Sequence, residues 1–216
     1  MIILPDKFYG CNHIVVHGLF IYNRFNSNEI VSVNINSAVQ ITSKDNILKI
    51  DRFKARYRLI PEKDVNMSMA HGMFTDSKVG IFDIAEYDGF IWVVYRNVTD
   101  GYYYLSQLNK ATLYPVRRSV RIKYYSKQIL NTFIAHGFMY FIAHIKNNTA
   151  QILTAYDIEN EKLISKDLPP LRLNGDTSQL THVSYDLFTE MIYCWSNNYI
   201  LVFSQEWKSI KARCQP

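Results

Sequence analysis

The chain has 216 residues, 48% of them hydrophobic, and a formal net charge of +5. This composition excludes a disordered chain and supports a sizeable core. No apolar run approaches the ~18 residues of a membrane-spanning helix, which excludes membrane insertion of that kind.

Tyr, at 16, and Phe, at 12, are abundant and favour strands. Met1-Ile2-Ile3-Leu4 runs directly into Pro5-Asp6-Lys7. The absence of a basic and then apolar leader leaves two readings open, a cytosolic chain or a fragment. The first predicted hairpin is His13 to Tyr22, turning at His17-Gly18. Glu29 to Ile35 then alternates apolar and polar, the pattern of a half-buried strand. Residues 45–71 are charged and irregular and are expected to form blade edge and loop. Asp83 to Tyr95 is the strongest strand pair, turning at Asp88-Gly89. Tyr102 to Leu108 is a further strand, followed by an Asn109-Lys110 turn. The third hairpin runs from Thr132 to Ile142 through His136-Gly137, and Gln151 to Asp157 follows as a strand. Gln179 to Ser184 is a short strand before the last hairpin, Glu190 to Phe203. Hairpins recurring along the chain, with further strands between them, suggest propeller blades. Trp92 and Trp195 each lie in an apolar strand and are expected in blade cores.

These phrases, in this order, resemble the olfactomedin domain. The residues that carry the resemblance begin with Leu4-Pro5, Gly10, His13 to Val16, Gly18, Tyr22-Asn23 and Asn28 to Val31. They continue with Asp83-Ile84-Ala85, Ile91 to Tyr95, Leu105 to Asn109 and Asn131 to Tyr140. Ala155-Tyr156-Asp157, Leu168-Pro169, Val183-Ser184-Tyr185 and Ile192 to Asn197 complete the set, which spans residues 2–204. The resemblance implies an all-β, five-bladed β-propeller in residues 1–204, about four blades of it in this chain, followed by a tail in residues 205–216. It implies N-terminal incompleteness relative to the family. It also implies loss of the family disulfide, since His136 stands at one cysteine position.

The resemblance further implies a calcium site with a neighbouring sodium. Asp83 matches a carboxylate ligand and Ile84 a sodium backbone ligand. Asn131 matches an amide ligand, and Thr132 and Val183 match backbone carbonyls. Ser184 falls where the family has a second Asp. Hard cations need several oxygens, preferably charged ones, so one carboxylate implies weak or absent calcium. The alternative role for Asp83 and Asn131 is hydrogen bonding that holds blades together.

Other constellations are sparser. His13 and His17 are spaced by four, but in an extended segment rather than a helix, so structural roles are expected. Of the three cysteines, Cys11, Cys194 and Cys214, none forms CxxC spacing, which excludes the usual zinc and thioredoxin motifs. The basic cluster Arg117, Arg118, Arg121, Lys123 and Lys127 has no nucleic-acid-binding motif around it and reads as a solvated face. Sequons at Asn66, Asn97 and Asn147 are candidate glycosylation sites. The combined expectation is a non-catalytic extracellular module that recognises matrix or cell-surface proteins. Two alternatives stay open: a propeller glycosidase or lyase acting at the channel mouth, and an intracellular scaffold.

Overall fold

A computed structural model describes residues 2–5, 7–8, 12–25, 27, 29–37, 39–42, 47–49, 55–58, 82–97, 100–117, 119–124, 129–145, 149–165, 168, 172–173, 180–196 and 199–204. Regular structure among them is almost wholly β, with one 3-10 turn at Ile35–Ser37. The first strands are β1 (Ile2–Ile3), β2 (Ile14–Val16), β3 (Leu19–Asn23), β4 (Glu29–Asn34), β5 (Val39–Thr42), β6 (Ile47–Lys49) and β7 (Ala55–Arg58). Next come β8 (Phe82–Tyr87), β9 (Phe90–Arg96), β10 (Tyr103–Asn109) and β11 (Val120–Ile122). They are followed by β12 (Ile129–Ala135), β13 (Phe138–Ile145), β14 (Thr149–Asp157), β15 (Lys162–Ile164) and β16 (Arg172–Leu173). The last three are β17 (Leu180–Asp186), β18 (Met191–Ser196) and β19 (Tyr199–Ser204).

Four antiparallel meanders result: β2-β3-β4-β7, β8-β9-β10-β11, β12-β13-β14 with β15 and β16 on β14, and β17-β18-β19. A small sheet, β1-β6-β5, contains a parallel β1–β6 pair. The charged stretch expected to be edge and loop thus supplies β6 and the edge strand β7, while 59–71 lie outside the described residues.

The turns explain the hairpins. His17-Gly18, Asp88-Gly89 and His136-Gly137 all have positive φ at both positions, from 47° to 85°. A two-residue turn of this kind matches the twist of the strands it joins. The fourth turn is longer and ends at Glu190, φ 55°. Central strands are buried on both faces, so they read as continuous apolar runs rather than alternations. Ile91 to Tyr95 are all buried, as is every residue of β12.

The chain divides into two compact units: Met1–Met73 with Ser77–Arg121, and Phe74–Asp76 with Ile122–Pro216. In the first unit, β2 lies beside β8; in the second, β12 lies beside β17. Each contact joins the opening strands of consecutive meanders. The core of the second unit includes Phe133, Tyr140, Ile142, Ala155, Val183, Ile192 and Cys194.

Trp92 is in the core, with 4% of its surface exposed, but Trp195 is 38% exposed. Strand alternation explains the second result. Cys194 pairs in register with Val183 and points inward, so its neighbour Trp195 faces outward beside His182.

Candidate functional site

The seam between β12 and β17 gathers four residues of the implied cation site. Asn131 is fully buried, and its Oδ1 accepts the Val183 N–H at 3.2 Å. Its Nδ2 is buried without a hydrogen-bond partner. Thr132 is buried next to it, and Ser184 is partly exposed beside Val183. Asp83 and Ile84 are buried together on β8 in the first unit.

The second-unit set is neutral: an amide, hydroxyls and backbone carbonyls. Its orphaned polar atom is an N–H donor, whereas a divalent ion needs oxygen donors and favours carboxylates. These residues do not by themselves fit calcium. Among the described residues, no cluster of three His, Cys, Asp or Glu side chains has metal-binding geometry.

A second link crosses the same seam. The His136 Nε2 lies 3.0 Å from the Tyr185 hydroxyl. In the first unit, His17 Nε2 lies 3.5 Å from Glu86 Oε1, which Lys110 also approaches at 3.9 Å. Glu86 and Tyr185 are each the penultimate residue of their strand. A turn histidine from one meander therefore reaches the equivalent position of the next in both units. The shared His-Gly dipeptide was the sequence signal for this repeated contact.

The remaining candidates have local partners. His13 precedes β2 and packs against Phe8 and Phe20, with centroids 5.2 and 5.0 Å away. Burial lowers its pKa, while His17 occupies a turn elsewhere on the hairpin, so the pair does not converge. Arg117 sits over Trp92 at 5.6 Å, and Arg121 over Tyr102 at 4.1 Å. Arg121 Nε also contacts Asp100 at 3.3 Å. Asp100 in turn accepts the Tyr104 hydroxyl at 2.8 Å. Burial is the main cause of the raised Tyr104 pKa, and this bond adds to it. Arg118 and Lys127 lie outside the described residues. Burial pushes the Cys194 thiol up to about 12, so it is protonated at neutral pH. Cys11 and Cys214 lie outside the described residues.

Asn97 is partly exposed and opens the β9–β10 turn. Its N–H donates to the Tyr102 carbonyl at 2.9 Å, and its carbonyl accepts the Gly101 N–H at 2.8 Å. Asn66 and Asn147 lie outside the described residues.

The model of the olfactomedin-like domain family matches residues 1–210. The chain belongs to the olfactomedin-like family. The olfactomedin-like domain is a β-propeller, and the four meanders are its blade units. Three solved structures also align with this olfactomedin-like chain. Myxococcus xanthus glutaminyl cyclase is 8% identical with TM-score 0.47, covering 93% of this chain and 75% of the other. A GH43 β-1,3-galactosidase is 13% identical with TM-score 0.45, covering 87% and 66%. A Bacteroides thetaiotaomicron protein of unknown function is 10% identical with TM-score 0.44, covering 92% and 41%. At these scores the likenesses say nothing of chemistry.

Proposed function

We propose that this olfactomedin-like domain is a non-catalytic extracellular recognition module for matrix or cell-surface proteins. Its match to the family over residues 1–210 carries the reading, because that family consists generally of extracellular interaction domains. Short turns on packed strands support it by fixing loop side chains on a rigid scaffold, an arrangement suited to binding. We further propose that calcium has at most a weak role. Asn131 spends its carbonyl on the Val183 N–H, and Ser184 supplies a hydroxyl rather than a second carboxylate.

The chain, fused to a secretion signal, should be recovered from medium with a glycan on Asn97. It should bind saturably to protease-sensitive sites on cultured cells. No saturable binding across a broad cell panel would overturn the recognition reading.

A further inference from the structure

The β17–β18 turn differs in kind from the three His-Gly or Asp-Gly turns. It inserts Leu187 and Phe188, which are 49% and 100% exposed. The pair is held on an ordered turn. Asp186 Oδ1 accepts the Phe188 N–H at 2.9 Å, while the Thr189 hydroxyl donates to Asp186 Oδ2 at 2.9 Å. An aromatic carried on an already ordered backbone spares the cost of ordering that backbone when a partner covers it.

Its surroundings are acidic although the whole chain carries +5. His136 contacts Tyr185, the residue before Asp186, at 3.0 Å. The following Gly137 accepts the Ile158 N–H at 3.0 Å. These contacts connect the Leu187-Phe188 turn with the Asp157–Glu161 turn at one end of the second unit. Asp157, Glu159, Glu161, Asp186 and Glu190 supply carboxylates there, with Lys162 as a neighbouring cation. Burial raises the Tyr185 pKa, and the nearby Glu190 and Asp186 charges add to it.

We propose that Leu187 and Phe188 form a docking knob that enters an apolar pocket on a partner protein, with Lys or Arg around the pocket facing the acidic turns. Central aromatic anchors dominate many interfaces. Complementary rim charge accelerates association and is screened by salt. An anionic bilayer is disfavoured because it would face these carboxylates. The proposal rests on the recognition reading and assigns that reading a surface.

The test uses the fluorescently labelled full chain on a panel of cultured cells. Phe188→Ser should weaken saturable binding at least tenfold, with Leu187→Ser giving a smaller loss. Tyr114→Ser, which removes another exposed aromatic, should bind as wild type, and trypsin treatment of the cells should abolish binding. Glu159→Gln with Glu190→Gln should slow association more at low salt than at high salt. Melts of the Phe188, Tyr114, Glu159 and Glu190 variants should match wild type, because these side chains are exposed. Unchanged binding by Phe188→Ser overturns the knob but leaves the recognition reading standing. Absence of wild-type binding to every cell overturns both. Binding to phosphatidylcholine vesicles that depends on Phe188 replaces the protein partner with a lipid surface and overturns the proposal.

Discussion

Trp92 and Trp195 provide a sharp comparison because they occupy similar apolar phrases but different environments. Trp92 is 4% exposed, donates Nε1–H to the Tyr87 carbonyl at 3.0 Å and lies beneath Arg117. Trp92→Ala should cost about 3–5 kcal/mol through lost burial and the cavity left behind. Trp195 is 38% exposed and touches the His182 ring at a centroid distance of 5.1 Å. Trp195→Ala leaves no enclosed cavity and should cost about 1 kcal/mol, the middle of the range for point substitutions. With a urea slope of about 2 kcal/mol/M, the midpoint should fall by about 2 M for Trp92→Ala and about 0.5 M for Trp195→Ala. Far-UV circular dichroism should follow the unfolding, since replacing an indole alters fluorescence directly. Trp92→Phe separates ring volume from the indole hydrogen bond and should fall between the two. Equal midpoint losses for the alanine variants, or less than 0.5 M for Trp92→Ala, would refute the burial argument.

The Cys194 thiol should resist Ellman's reagent in the folded protein at pH 8. Its unfolded form ionises near 9 and its folded form near 12, so its contribution to stability is full below pH 9 and is lost as pH rises through about 12. Cys194→Ala should remove that alkaline slope, and an unchanged slope would exclude the assignment. His136→Asn and Tyr185→Phe should couple by about 0.5–1.5 kcal/mol in a double-mutant cycle, since Asn tolerates the turn's positive φ. Strict additivity would show that their 3.0 Å contact contributes nothing to folding. Millimolar calcium should shift the wild-type melt little, and Ser184→Asp should increase the shift by adding a ligand charge. A large wild-type shift abolished by Asp83→Ala would instead establish a working calcium site.

The hairpins were legible because their turns need residues that accept positive φ and their inner strands are long apolar runs. Face assignment was less legible. In Tyr193-Cys194-Trp195 the bulkiest residue looks most buried, but register turns the smaller cysteine inward. The seam contacts depend on which meanders abut, information that no local phrase contains. His17 and His136 shared a visible dipeptide, yet their partners Glu86 and Tyr185 differ chemically and sit far along the chain. The acidic end was hidden for the same reason, because the Asp157–Glu161 and Asp186–Glu190 turns lie on separate sheets and are linked through the His136–Tyr185 contact between abutting meanders.

The left-handed backbone at His17, Asp88 and His136 limits what these blade ends can display. Branched and bulky apolar residues are strained there, so substitution is steered toward Gly, Asn, Asp or His. The chemistry offered by three of the four hairpin ends is therefore filtered by main-chain geometry before any ligand exerts selection. Leu187 and Phe188 escape that filter because the longer turn confines its left-handed residue to Glu190. A family member could acquire a new specificity by lengthening one hairpin by two residues, with the strands beneath it unchanged.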